Sequence, residues 1–328
     1  MSAAVLLVAA AAAVFFNAGR PSPSLTPNPN PTITSSPTVT GFGAWQKAQS
    51  FGIPVEASGA TVHGNRIWLL GGHSGNAPAI AAVQIFDPIR MTWRRGPDLP
   101  LALHDVVAVS DGHDLYAIGG ETSDDEVIDA VYRLKRDYSG WLRDARHLPR
   151  PRAAGGVVWD GSRIVYAGGI DAQERDVADV FTLGRTGWTR LDPLKNARNS
   201  IAATTDGRGT AWFMTGQTGW RSDVRTSGQV DVLKAGTVAV GRSVTSRRAA
   251  AAIYLPGIGP CVLGGSGSAV GAAVECPLNR SGVQPPDLLT QRAGLCAVVS
   301  SGQVWAFGGF YAKYHNSAIV ERLPFGTS

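Results

Sequence analysis

Six times along this chain an apolar run ends on glycine, at nearly even intervals. The runs are RIWLLGG, DLYAIGG, RIVYAGG, TAWFMTG, PCVLGG and QVWAFGG. They close at Gly71-Gly72, Gly119-Gly120, Gly168-Gly169, the degenerate Thr215-Gly216, Gly264-Gly265 and Gly308-Gly309, with spacings of 48, 49, 47, 49 and 44 residues. A period of this size marks a repeat array, in which stacked units bury a shared core. Each run is short, apolar and rich in β-branched or aromatic residues, as a fully buried strand is. The glycines let the chain leave the sheet at positive φ and pass close to other backbone.

The rest of each unit repeats too. A loop follows the glycines, then a second run such as AAVQIFDP, DAVYRL or ADVFTL, then a strand carrying Trp93, Trp141 or Trp188, spaced 48 and 47 apart. Ten or eleven residues later a new strand opens near His104, Arg152 or Arg198. That makes four short strands per unit. The order Gly-Gly, Tyr/Phe, Trp, Arg resembles the kelch repeat, and the resemblance covers residues 41–328. It implies an all-β fold: a six-bladed kelch-type β-propeller with four antiparallel strands per blade around a central channel. The final unit has strands near 294–300, 303–309 and 317–323 but no fourth, while GAWQKA places Trp45 48 residues before Trp93. The N-terminal strand is therefore expected to complete the last blade and remove an exposed edge. In blades 4 and 5 the fourth strands, expected at 236–240 and 281–283, carry no Trp.

The first 40 residues read differently. Ala3–Phe16 is uninterrupted apolar sequence, too short for a typical spanning helix and suited to a signal-peptide core. No Lys or Arg precedes it, and FFNAG is a poor cleavage site, so an uncleaved anchor or a start placed too far upstream stays open beside an export signal. The expected organisation is a signal peptide or membrane anchor over 1–19, a Pro/Ser/Thr-rich spacer over 20–40, and the propeller over 41–328. The body is expected outside the cytoplasm, secreted, periplasmic or tethered at the surface, meeting a membrane only through the N-terminal segment. A net charge of +5, with 17% charged residues and no Lys/Arg-rich run, is ordinary solubility charge and excludes nucleic-acid binding.

Of three cysteines, Cys261 and Cys276 sit symmetrically about a loop near Ser268 and Ala269, which makes them cross-strand neighbours. An exported chain can bridge them, and two reduced thiols are the alternative. Cys296, in GLCAVV, reads as an inert core residue rather than a nucleophile. No local spacing forms a metal motif and no cofactor is implied. Topology does bring His73, His104 and His315 to one face on adjacent blades, where three imidazoles could hold zinc or copper if they met. The copper-radical oxidases that use kelch propellers need a Tyr–Cys crosslink, which is not assignable here.

On that face the residues opening the innermost strands are Glu56, His104, Arg152, Arg198, Arg248 and Arg292. Four arginines at one channel mouth suit carboxylate or phosphate groups. Arg at this place also recurs in kelch repeats as a loop brace, and both roles are open. The long loops add Gln217, Trp220 and Arg221, and the aromatics Tyr311 and Tyr314, of the kind that stack on sugar rings.

These features point to a binding or scaffolding module for a protein or a glycan. One enzymatic alternative exists. The exported sialic acid mutarotases are six-bladed kelch propellers, and in them a Gly-Glu … Arg-Thr-Asp stretch supplies an acid and an arginine for ring opening. The similar stretch here is Gly216-Gln217 … Arg221-Ser222-Asp223, where an amide replaces the acid and can neither give nor take a proton at working pH. Glu121 could substitute only in a rebuilt site. A catalytic mouth should therefore show a perturbed acid beside Arg221, and a pure platform should show none.

Overall fold

The computed structural model describes residues 37–75, 77–267, 271–311 and 315–328. Every regular element among them is a strand. The innermost strands of six successive blades, Gly59–His63, Val107–Ser110, Gly156–Trp159, Ala202–Thr205, Ala251–Leu255 and Cys296–Ser300, contact one another in turn, and the last meets the first. The ring is closed. Small residues such as Ala60, Ala108, Ala203, Ala252 and Ala297 line the channel, which lets six strands converge.

Within a blade the strands follow one another antiparallel from channel to rim, as Gly59–His63, Arg66–Leu70, Val83–Asp87 and Thr92–Arg95 do in blade 1. The second and third strands are sandwiched between neighbouring blades, so Ile164–Ala167 and Val180–Leu183 are buried at every residue. Outer strands such as Thr92–Arg95 face solvent and turn polar. Each of the six seams has its own apolar cluster. Trp68, Leu70 and Ile85 of blade 1 pack on Ala117, Tyr132 and Trp141 of blade 2, and equivalent sets fill the other five seams.

Backbone bonds cross the same seams. The second glycine of each pair donates its N–H to the residue that opens the next blade: Gly72 to Leu103, Gly120 to Arg152, Gly169 to Arg198, Gly216 to Arg247, Gly265 to Arg292 and Gly309 to Val55. The outer tryptophans bond backwards. Trp45, Trp93, Trp141 and Trp188 each donate from Nε1 to a carbonyl of the preceding connection, at Pro286, Gln49, Pro97 and Arg146.

The ring closes as expected: Gln46–Ala48 pairs antiparallel with Val320–Arg322 of the last blade. Val39–Phe42 then continues along the same edge against Phe325–Thr327, so this sheet carries two N-terminal additions. Val39 lies within the stretch whose composition reads as spacer, yet it is buried. The segment 1–19 and the spacer up to residue 36 lie outside the described residues.

Blade 5 departs from the expectation. Its sheet has three strands, and at 281–283 the chain forms a turn instead, in which Asn279 bonds Ser281 and the Val283 carbonyl. Its hairpin is closed by the Cys261–Cys276 disulfide.

Candidate functional site

Each blade opens on three residues with different surroundings. The third has positive φ, between 48° and 66°, at Ala57, Asp105, Ala154, Ser200, Ala249 and Gly294. The second bridges the residue that follows the glycines: Glu56 with His73, His104 with Glu121, Ala153 with Ile170, Asn199 with Gln217, Arg248 with Ser266 and Ala293 with Phe310. The first turns into the blade and is Val55, Leu103, Arg152, Arg198, Arg247 or Arg292, all buried.

This register corrects the expected positive ring. Arg152, Arg198 and Arg292 are 1, 1 and 2% exposed. Their guanidinium groups reach Asp179 at 2.5 Å, Asp231 at 2.6 Å and Glu321 at 3.2 Å. The equivalent in blade 5 is Arg247, paired with Glu275 at 2.7 Å, and not Arg248. A guanidinium taken this far from water must be matched by a carboxylate, which leaves these arginines as braces. Arg248 stands one residue further on, half-buried at the mouth, and its Nη1 donates to Gln217 Oε1 at 3.1 Å.

Glu56 and His104 share the position of Arg248, and there the mouth gathers its titratable groups. The His73 and His104 rings stack with centroids 4.0 Å apart. His104 Nδ1 shares a hydrogen with Asp105 Oδ2 at 2.8 Å, and its Nε2 faces Glu121 Oε2 at 3.8 Å. Glu121 is fully buried; Oε1 accepts from Arg221 Nη2 at 2.6 Å, and Oε2 has no hydrogen-bond partner among the described residues. Burial pushes the Glu56 carboxyl up to about 7, helped by the charge of Asp105 and opposed by His104. Burial also raises Glu121, against the pull of His104 and Arg221. For His104 burial works against the imidazolium, but the bond to Asp105 and the charges of Asp105 and Glu121 outweigh it and hold the pKa up. His73 is lowered by burial and by His104 beside it.

A loop from blade 4 reaches this cluster. Gln217–Thr218 and Arg225–Thr226 form a short ribbon, and Gly219 at its turn donates to Asp176 Oδ2 at 2.7 Å. Trp220 packs against Val127, Ala153 and Ile170, so it braces the loop rather than offering a free face. Arg221 then spans to Glu121 at 2.6 Å, Asp125 at 3.0 Å and Glu174 at 2.8 Å, tying the loops of blades 2, 3 and 4 together. Gln217 is buried and bonds the Gly219 carbonyl at 3.0 Å. The acid beside Arg221 is thus Glu121, as a rebuilt site requires.

Tyr311 is exposed near blade 6; Tyr314 and the side chain of His315 lie outside the described residues. His73 and His104 do meet, and the third group with them is Asp105, which the sequence reading passed over together with Glu174 and Asp176. Comparing the residue after each glycine pair would have put His73, Glu121 and Gln217 side by side. Cys296 lines the channel half-buried and donates to the Ser58 carbonyl at 2.8 Å, and burial pushes its thiol up to about 11.

A closed ring of six blades with its polar chemistry at one mouth defines a β-propeller. The Kelch motif matches residues 57–100, which run from the start of blade 1 to the connection into blade 2. Kelch-like protein 41a of Danio rerio is 23% identical over 124 residues, 38% of this chain and 20% of that protein. Kelch-like protein 38 of Rattus norvegicus is 31% identical over 113 residues, 34% of this chain and 19% of that protein. The chain thus spans about a fifth of the length of these curated relatives. The solved structure of YjhT superimposes with a TM-score of 0.68 over 86% of this chain and 99% of its own, at 11% identity, a likeness of fold. The ring is thus a six-bladed β-propeller whose first blade matches the Kelch motif.

Proposed function

We propose that this propeller is a binding module that takes a protein or a glycan on its loop face. The observation that carries the reading is where the chain departs from its own repeat. Glycine pairs and seam clusters recur from blade to blade because the fold needs them. The bridged pairs at the mouth do not recur: blades 1, 2, 4 and 5 have Glu56/His73, His104/Glu121, Asn199/Gln217 and Arg248/Ser266, whereas blades 3 and 6 fold with Ala153/Ile170 and Ala293/Phe310. Polar groups in such places oppose folding unless bonded, so four polar pairs serve something beyond the ring. An exported or tethered setting belongs to the same proposal, and the apolar run Ala3–Phe16 and the Cys261–Cys276 bridge support it, since disulfides persist outside reducing compartments.

The test is a thermal-shift screen of the full chain against neutral and acidic sugars, run beside crosslinking capture of protein partners. A ligand at 100 times its Kd adds about 2.7 kcal/mol, which is readily seen. The reading expects a shift or a captured partner that is lost in a Glu56→Gln/Arg248→Ala variant. A partner or shift unchanged by that variant places binding elsewhere and removes the reading.

The Glu121–Arg221 pair favours a second reading, an epimerase resembling the sialic acid mutarotases. It puts a perturbed acid and an arginine 2.6 Å apart at the mouth, with Glu121 in place of the acid that Gln217 does not supply. This reading expects faster anomeric equilibration of N-acetylneuraminate by NMR with the full chain, abolished by Glu121→Gln. Equilibration at the buffer rate with the unaltered protein ends it.

A further inference from the structure

Blades 1 and 2 each place one imidazole and one carboxylate on bridged backbone positions, in opposite order: Glu56 opposite His73, and His104 opposite Glu121. Bridged residues project to the same side of their ribbon, so the two pairs meet where the blades touch. One ligand atom from each of His73, His104 and Asp105 lies within 4.8 Å of the other two. We propose that these three side chains form a site for a divalent first-row transition metal, with zinc the best match to two imidazoles and a carboxylate.

The geometry supports a particular mode. His104 Nδ1 and Asp105 Oδ2 are 2.8 Å apart and need open by only about half an ångström to stand as adjacent ligands on one tetrahedral ion. The metal replaces the hydrogen they share. Coordination at Nδ1 fixes the His104 proton on Nε2, and Nε2 faces Glu121 Oε2 at 3.8 Å. That oxygen belongs to a fully buried carboxylate and has no hydrogen-bond partner among the described residues. A small approach gives the carboxylate–histidine–metal arrangement that orients most metal-bound imidazoles, and it satisfies the orphan oxygen.

Charge argues the same way. Glu56, Asp105 and Glu121 crowd this corner, while the nearby cation Arg221 is shared with Asp125 and Glu174. A dication offsets that excess. His73 and Asp105 are only half-buried, which admits water or an incoming ligand atom on their side. None of the other four bridged pairs combines imidazole with carboxylate, which confines the site to this seam.

Zinc titration of the chelator-treated full chain, followed by calorimetry, tests this, with Co²⁺ substituted as a visible probe of coordination. The expected result is one equivalent bound at micromolar or tighter affinity, with Co²⁺ bands of a low-symmetry nitrogen/oxygen site. His73→Ala and His104→Gln should each weaken binding at least tenfold, and Glu121→Gln should weaken it about tenfold and shift the Co²⁺ spectrum. His147→Ala, at a surface pair with Asp129, should change nothing. Should His104→Gln fail to fold by circular dichroism, the half-buried His73→Ala still decides. No uptake by the unaltered chain, or uptake that survives His73→Ala, overturns the site.

Discussion

An added methyl group at Gly119 would run into the carbonyl oxygen of Arg152, the acceptor for the N–H of the adjacent Gly120. Gly207, also at positive φ, has open space where its Cβ would go. Gly207→Ala therefore pays only for its backbone angle, about 1 kcal/mol, while Gly119→Ala should cost about 3 kcal/mol or more by denaturant unfolding. Equal costs would mean that the seam yields freely. Asp87 gives a pH-dependent counterpart. The backbone N–H of Arg90 leads in holding its carboxyl down to about 2, aided by the Arg90 side chain, the Ile89 N–H and Arg66. A depressed acid stabilises the fold above its unfolded pKa of about 3.9 and loses that contribution as pH falls through the folded value. The melting-temperature gap between the unaltered chain and Asp87→Asn should thus be full at pH 6 and shrink between pH 4 and pH 2; a gap independent of pH would contradict it.

At the scale of the strand and its turn, the buried Arg–acid braces are the distinctive element. Arg198 donates to the Thr215 and Phe213 carbonyls and pairs with Asp231, and both charged side chains are shut from solvent. Removing one partner strands a charge, so Asp231→Ala should destabilise by about 3–5 kcal/mol, while Arg198→Met/Asp231→Leu should recover most of that. Urea melts of the two variants distinguish a stranded charge from simple loss of packing, which the double variant would not repair. These braces also mark where the sequence was legible and where it was not. Glycine pairs and tryptophans fixed blade number, strand order and the closing strand because each is a side-chain requirement repeated at one spacing. The strand-opening residues were not separable, since Arg247 and Arg248 are adjacent and a one-residue step exchanges blade interior for channel mouth. Reading Arg248 as the repeat of Arg152 merged two positions, and with them the braces and the site. Glu121 was named only as the acid of a rebuilt site, since its meeting with His104 depends on the bridge across the mouth, which no local spacing encodes; Asp105, next in sequence to His104, belongs to no recognisable motif and was passed over. The missing fourth strand of blade 5 went unseen because a Gly/Pro-containing stretch can read as a weak strand or as a turn.

For the whole molecule, stability rests on six seams in a closed circuit, so a break anywhere exposes two faces. Removing residues 37–48 would uncover the Val320–Thr327 strand along its length and take Trp45 from its bond with Pro286. The shortened chain should melt well below the full one and self-associate through the bare edge, as sedimentation velocity would register. A monomeric variant with unchanged melting would show that the ring holds without its clasp. The clasp has a temporal side as well. Gln46–Ala48 leaves the ribosome more than two hundred residues before the strand it pairs with. Throughout most of synthesis that segment has no strand to pair with, and the blades made after it wait unclosed, in the slow, long-range manner of folds dominated by distant pairings. A nascent or prematurely terminated chain can build individual blades yet never a finished circle, which gives the cell a simple physical distinction between complete and incomplete copies.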